Sequence, residues 1–451
     1  MLLQVPRTTP DDNGASHPPN LVPVRDIGDR HRGEREWQDH HQKPESQRDD
    51  QHRHRNHRRD DGPQHELRPN RRWGRLRRRD ELPFQRHVED AVVFFHDASK
   101  VAPPGRRFKP SPVRSMLVRT QGRVRGMKAG LFINTQFPEG YDVGARVPEM
   151  VEQVRAARDA GFKSLWFPHH WLTNPMQMLA ITPTMGYIAA HAQGMTLGPN
   201  ILILPPQNPV HVAEESATLD VLTGGNYILG VGLGYRQPEF DAFGIPLSER
   251  APRFNESIAL MRRLWTEEKV THKGRFYTVN DSGIGVKPIR AGGPPLYIAA
   301  QADVSVKRAA RIGDAWLIVN SSGLSKTVPL MKTYRAALAE YGRTATDFPI
   351  TVECYVGDNH ATAHEECRVP LQYKYNAYAA WGLEGRARSE LPFEDFARDK
   401  FIIGDKVSVK EEIARYHELL GVNHFIMRCQ WPGLPVERTL ASIKRLGEIF
   451  A

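Results

Sequence analysis

Two adjacent histidines stand where an apolar run gives out. Ser164–Phe167 is followed by Pro168, His169, His170 and Trp171, and an imidazole at the end of a buried strand takes or gives a proton near neutral pH. His170 and His169 are therefore the candidate catalytic residues, and the alternative is a pair that lines a polar rim without doing chemistry. A second stretch opens with Gly232, Leu233, Gly234 and Tyr235. Glycines one residue apart let backbone N–H groups approach an anion and form a nest for phosphate, with Tyr235 placed to touch it. Glycine turns at strand ends are common, so a plain turn stays open as the other reading. Leu204-Pro205-Pro206 ends another apolar run, and a kink or cis bond there would shape a neighbouring pocket. Thr135 and Gln136 fall at the end of the first run, where they could line a pocket floor.

The elements that must hold these residues alternate. Short apolar runs at Lys128–Asn134, Ser164–Phe167, Thr196–Leu204, Tyr227–Val231, Leu296–Ala299, Ala315–Val319, Ile350–Val356 and Asn423–Arg428 read as strands. Amphipathic stretches at Arg146–Ala160, Gln177–Ala192, Val210–Leu222, Arg253–Trp265, Val304–Ile312, Lys326–Tyr341, Val407–Leu420 and Val436–Ile449 read as helices between and after them. Gly161 and Gly421 follow two of these, where a left-handed residue closes a helix. Eight strands, each followed by a helix, predict an α/β fold of the (β/α)8 TIM-barrel kind, whose strand ends carry the catalysts. A doubly wound sheet would need fewer strands and a glycine fingerprint after the first, and GLFINTQFP has none. Two connections are long: 267–295, with a hairpin at KGRFYTV, and 357–406, rich in Tyr and Trp. Both read as insertions on the catalytic face, the second as a lid or as plain helical packing.

Composition divides the chain at Met127. Residues 1–126 hold 27 Lys+Arg against 18 Asp+Glu, which is +9 of the total +10, and 10 of the 19 His. Such a segment buries too little apolar surface to fold, so it is expected to be a disordered Arg/His-rich leader. A nucleic-acid arm is disfavoured because acidic residues interrupt every basic run, and metal binding because the histidines lack ligand spacing. The strand-like KAGLFIN directly after Met127 marks where the domain starts, and suggests that the natural chain starts there too. Three scattered cysteines, Cys354, Cys367 and Cys429, exclude a disulfide framework. With no membrane-length apolar stretch and no export signal, the expected location is cytoplasmic.

The longer string GVGLGYRQPEFDAFGIPLSERAPRFNESIALMRRLW (230–265) resembles the bacterial-luciferase-like flavin-dependent oxidoreductases. Their fourth strand runs into such a turn, then E-F-x-A-F-G, an arginine and a helix ending in L-W, here Glu239, Phe240, Ala242, Phe243, Gly244, Arg250 and Leu264–Trp265. NPVHVAEESATLDVLTGG (208–225), 274–279, 287–317 and 409–433 are similar to other parts of the family, so the resemblance covers 127–451. In the 208–225 segment, Glu214 and Asp220 are expected to cap or pair. The resemblance implies a flavin phosphate at Gly232, Gly234 and Tyr235, completed by Ala300, Gln301 and Ala302 before a helix whose N-terminus suits an anion. It implies that Asn200 sits near the ring. It implies a catalytic histidine often preceded by an acid, but Pro168 stands there, which leaves His170 without that carboxylate.

The activity implied is a monooxygenase using reduced FMN and O2 on a small organic substrate bound under the 357–406 insertion. No dinucleotide fingerprint is present, so reduced flavin would come from a separate reductase, and a homo-oligomer is expected. The alternative cofactor is the deazaflavin F-420, used for hydride transfer without oxygen; its longer acidic tail would draw on Arg236, Arg250 and Arg253. A second alternative is a non-catalytic flavin-binding relative.

Overall fold

The computed structural model describes residues 124, 126–381 and 392–451. The expectations for the leader therefore lie outside the described residues, except at its end. There Val124 is buried in the main core and its carbonyl accepts the Met127 N–H at 3.1 Å, so folded contacts reach three residues ahead of Met127.

The strands are β1 (Lys128–Phe132), β2 (Gln136–Phe137), β3 (Ser164–Phe167), β4 (Gln177–Met178), β5 (Thr196–Pro199), β6 (Leu202–Ile203), β7 (Leu229–Gly232), β8 (Val270–Lys273), β9 (Thr278–Ser282), β10 (Leu296–Ala299), β11 (Ala315–Val319), β12 (Pro349–Val356), β13 (Phe401–Gly404) and β14 (His424–Arg428). The helices are α1 (Val143–Asp159), α2 (Ile181–Ala189), α3 (Pro209–Leu222), α4 (Gln237–Ala242), α5 (Arg250–Thr266), α6 (Asp303–Ile312), α7 (Leu324–Glu340), α8 (His360–Ala380), α9 (Phe393–Ala397), α10 (Lys406–Leu420) and α11 (Val436–Phe450). Local chemistry sets several of their ends. The carboxylates of Asp142 and Asp405 and the side-chain carbonyl of Asn208 accept the first N–H groups of α1, α10 and α3, with Pro209 at the first position of α3. Gly421 ends α10 at φ +69°.

Eight strand positions form a parallel ring in the order β1, β3, β5 with β6, β7, β10, β11, β12, β14 and back to β1. The ring closes at the third strand. Leu197 N–H donates to Asn226 O and Ile228 N–H donates to Leu197 O, both at 2.9 Å, and then Leu202 aligns with Val231. Between those pairings Asn200 and Ile201 leave the ladder, and their peptide is cis. The detour expected at Leu204-Pro205-Pro206 thus falls four residues earlier. It is tolerated because its neighbours lack side chains: a Cβ on Gly230 would collide with Pro199 O, and one on Gly198 would lie 2.6 Å from Ile228 O.

Two further departures from the sequence reading are local. The expected helix Gln177–Ala192 begins only at Ile181, because Gln177–Met178 pairs antiparallel with Gln136–Phe137. Strand β13 adds to β12 beyond the barrel, Glu353 opposite Phe401. With it, the 357–406 insertion builds an apolar cluster of its own, including Cys367, Leu371, Tyr375, Phe393, Phe396 and Phe401. Residues 382–391 of that insertion lie outside the described residues. Hairpin β8–β9 occupies the other long connection as expected, and Asp220 is structural, its carboxylate accepting the Ile289 N–H at 2.8 Å.

The barrel interior is filled by Phe132, Trp166, Ile228, Tyr297, Leu317 and Ile426. At the N-terminal ends of the strands it is sealed by a polar network. Ser164 Oγ accepts from Trp166 Nε1 at 2.8 Å and lies 2.7 Å from His424 Nε2. His424 Nδ1 is 3.1 Å from Asp347 Oδ2, which also accepts the Tyr297 hydroxyl at 2.6 Å, and Lys128 pairs with Oδ1 at 3.2 Å. Burial alone would raise the Asp347 pKa, but the hydrogen bond and charge of His424, the Tyr297 hydroxyl and Lys128 hold it well below the usual carboxylate range.

Candidate functional site

The opposite ends of the same strands surround a cavity of about 320 Å³, the place where barrel strand ends converge. It takes Phe132 from β1, His169 and His170 from the turn after β3, and Asn200, Ile201 and Ile203 from the detour. Gly232–Tyr235 follow β7, Ala299–Gln301 end β10, Asn320 and Ser321 follow β11, and Thr351–Glu353 and Arg428 lie on β12 and β14. Helix α8 contributes Lys374, Tyr375 and Tyr378. The cavity thus brings together His169, His170, Asn200, Gly232, Gly234, Tyr235, Ala300 and Gln301. Ala302 is not in its wall: it precedes α6 with an exposed side chain, and Ser305, one turn into the helix, lines the cavity instead.

The two histidines are held differently. His170 Nδ1 lies 2.8 Å from Oε1 of Glu239, a residue of α4 whose side chain is fully buried. The same oxygen accepts the Trp171 N–H at 3.0 Å and Arg236 NH1 at 3.1 Å. Arg236 in turn donates to the carbonyls of Trp171 (2.6 Å) and Leu172 (3.1 Å), tying the histidine loop to α4. Burial would raise the Glu239 pKa; the hydrogen bonds from His170 and Trp171 and the Arg236 charge overcome it and lower it. The carboxylate that Pro168 does not provide therefore arrives from 69 residues downstream, which corrects the expectation of an unsupported His170. An ionised Glu239 on Nδ1 fixes that nitrogen as the donor and leaves Nε2 to meet a reactant, the logic of a carboxylate-oriented histidine.

His169 is pinned the other way. Its Nδ1 accepts the Ile203 N–H at 3.1 Å, so Nε2 carries the proton. Burial first, and then the charge of His170, bring its pKa down to about 3 in spite of the Glu239 charge. Held this way it presents an Nε2–H donor.

The glycine turn is packed from behind. A Cβ on Gly232 would lie 2.7 Å from Ile201 Cδ1, and Gly234, at φ +73°, would put one 2.7 Å from Ile203 Cγ2. At Gly234 only glycine gives this backbone conformation without strain, and at Gly232 it is the packing of Ile201 that leaves no room for a side chain. Across from it Gln301 Nε2 donates to Ser321 Oγ at 3.1 Å, and Asn200 Nδ2 donates to Thr351 Oγ1 at 2.6 Å. Apolar walls from Ile201, Ile203, Leu233, Val319 and Val352 face the space between. A flat ring with a phosphate on its side chain fits these donors and walls. Among the described residues no group of three or more His, Cys, Asp and Glu could hold a metal ion, and no helix is long and apolar enough to cross a membrane.

The sequence matches the luciferase-like monooxygenase family over residues 127–423. The chain belongs to that family. An F-420-dependent glucose-6-phosphate dehydrogenase of Amycolatopsis mediterranei is 29% identical over 311 residues, 65% of this chain and 91% of its own. An uncharacterized protein of Sinorhizobium fredii, y4vJ, is 28% identical over 218 residues, 47% of this chain, which spans 61% of that relative's length. Among solved structures, the monooxygenase RslO1 of Streptomyces bottropensis superposes with a TM-score of 0.64 at 21% identity, over 71% of this chain and 98% of that one. The FMN complex of the oxygenating constituent of a Pseudomonas putida diketocamphane monooxygenase gives 0.60 at 18%, over 72% and 97%. Both flavin types are thus represented among the luciferase-like proteins that this chain is similar to, and an oxidoreductase is the shared denominator.

Sequence reasoning missed two sets of residues. Glu239 was visible only as a motif letter; its partner is set by a helix that turns back over the histidine loop. The far wall, Glu353, Lys374, Tyr375 and Arg428, went unremarked, although a lone acid inside TVECYV and an arginine ending HFIMR both break apolar runs.

Proposed function

We propose that this chain is a monooxygenase that uses reduced FMN and O2 on a small organic substrate, with His170 as its proton-handling group. The bound flavin supplies the electrons that activate oxygen. Gly232–Tyr235 and the Ala300–Gln301 turn would hold its phosphate, Asn200 and Gln301 would offer hydrogen bonds to the cofactor, and α8 with His169 would screen it from water. His170 Nε2 gives a proton to, or takes one from, the reacting oxygen, while Glu239 keeps Nδ1 protonated and stabilises the imidazolium when it forms. A separate reductase is the proposed source of reduced flavin.

The observation that carries FMN over the deazaflavin is the charge of the phosphate end. Gly232–Tyr235, Ala300, Gln301, Ser305 and Ser321 include no cation, and the cavity-lining Lys400 is tied to the neighbouring Asn320, whose Nδ2 donates to its backbone carbonyl. Of the three arginines a longer acidic tail would draw on, Arg236 is buried against Glu239, and Arg253 pairs with Glu249 at 2.8 Å and lies over the Phe276 ring. Several negative charges would then meet Arg250 and the cavity's Lys400. Hydride transfer with F-420 is the second reading, favoured by the Amycolatopsis relative, which matches this chain along nine-tenths of its length.

Titration of the protein with FMN and, separately, with F-420, read by absorbance and by thermal stability, tests the choice. Tighter binding of FMN and oxygen-dependent turnover are expected. Tight F-420 binding without FMN binding, with turnover that proceeds anaerobically, would reverse the two readings.

A further inference from the structure

Beyond the ring, the cavity ends on charged groups that the mechanism above does not use. Glu353 on β12, Lys374 on α8 and Arg428 on β14 are each more than nine-tenths buried and all line the cavity. Charged side chains are rarely buried so deeply without compensation, and one carboxylate here faces two cations. Glu353 is already occupied. Its Oε1 takes Lys374 Nζ and the Tyr375 hydroxyl, and its Oε2 takes Trp431 Nε1 at 2.5 Å. Arg428 stands outside that set, with NH1 3.7 Å from Glu353 Oε1, beyond hydrogen-bond length. Its guanidinium lies 3.9 Å over the Phe132 ring, which covers one face, it is hydrogen-bonded to the Tyr378 hydroxyl, and its Nε is buried with no hydrogen-bond partner among the described residues. A planar fork backed by an aromatic ring, with a donor unsatisfied at the wall of a cavity, is a geometry suited to receive a carboxylate.

We propose that the substrate carries a carboxylate, and that Arg428 binds it at this end of the cavity with Lys374 as the second positive charge. The proposal rests on the reading of the cavity as the place where substrate meets cofactor. The three groups Glu353, Lys374 and Arg428 sum to a single positive charge, which one carboxylate neutralises, while Lys400, the other lysine of the cavity lining, lies over the Phe396 ring. Glu353 orients Lys374 and keeps the pair of cations from repelling each other in a low-dielectric site. The substrate's reacting carbon is then held at the other end, toward His170, so the anion acts as an anchor remote from the chemistry.

The test uses the full chain without flavin, so that it does not depend on which cofactor the protein takes. Benzoate, its uncharged isostere benzamide and inorganic phosphate are titrated by calorimetry and thermal shift. Benzoate is expected to bind at least tenfold tighter than benzamide and tighter than phosphate. Arg428→Gln should lose at least tenfold in benzoate affinity, Lys374→Gln several-fold, and Arg428→Lys should retain part of the binding; circular dichroism checks the fold of each. If Arg428→Gln does not fold, the Lys variant and Lys374→Gln carry the comparison. Equal binding of benzoate and benzamide, phosphate binding tighter than benzoate, benzoate affinity unmoved in every folded variant, or no saturable benzoate binding would each overturn the proposal. Loss of FMN binding with benzoate recognition intact would instead count against the cofactor reading alone.

Discussion

Two histidine–carboxylate pairs sit at opposite ends of one barrel, and only one of them faces a cavity. At the base, Ser164, His424 and Asp347 have the connectivity of a nucleophile triad, at 2.7 Å and 3.1 Å. Yet Ser164 is 1% exposed, its oxygen already accepts the Trp166 indole, and a Cβ on neighbouring Gly130 would collide with it. Both ring nitrogens of His424 and the Ser164 oxygen are thus engaged inside the protein. At the top, His170 keeps 15% of its side chain exposed and lines the cavity, with Nε2 opposite the nitrogen that Glu239 holds. The residue types are the same; what separates the two pairs is that the upper histidine keeps a ring nitrogen beside a cavity.

Substitutions should split along that line. The largest effect expected is on turnover: His170→Asn should lower kcat/KM by about 10³-fold, the scale of a general acid–base group, while leaving thermal stability nearly unchanged. A variant that turns over normally would make the upper pair as structural as the lower. His424→Asn should do the reverse, costing about 3 kcal/mol of unfolding free energy by stranding Asp347, with steady-state rates of the folded fraction preserved. Denaturant melts and specific activity on one preparation would show both. Glu239→Gln comes next, with a loss on the order of 10²-fold in kcat, because an amide can present the wrong group to Nδ1.

Acid sharpens the same contrast. Asp347 and Glu239 both have folded-state pKa values lowered from their ordinary range, so between the folded and unfolded values the unfolded chain binds more protons and stability rises with pH. Their contribution is complete above the ordinary carboxylate range of about 4 and is lost as pH falls through the lowered values. Asp347→Asn should flatten the acid side of a melting-temperature profile, and a profile that stays as steep as the parent's would place the acid sensitivity elsewhere. The smallest effect concerns packing: Gly130→Ala should cost about 1 kcal/mol by pressing on Ser164, measurable as a shift in denaturant midpoint with no change in rate.

How much of this the sequence disclosed follows from the range of the forces involved. The eight strands and their helices were legible because apolar periodicity is local, and Leu296–Ala299 and Ala315–Val319 fall where it places them. The glycine turn was legible because its residue types stand in the sequence, although the contacts that require Gly232 come from Ile201 in the third strand's detour. The His170–Glu239 pair was not, since its members are 69 residues apart and meet only when α4 folds back under the Arg236 bonds. Ala302 was misplaced by the rotation of a helix start, which turns Ser305 toward the cavity and Ala302 away. The Glu353–Lys374–Arg428 cluster joins three elements, and no spacing rule connects them.

The seam at the third strand has a practical consequence for anyone who would redesign the pocket. Asn200 and Ile201 line the cavity where the chain leaves its ladder, and beside that seam positions 198 and 230 have room only for hydrogen atoms. The wall of the ring pocket and the closure of the cylinder are thus one component, not two. A library that varies 199–201 while holding both glycines explores pocket shapes; a library that also varies the glycines reopens the barrel itself.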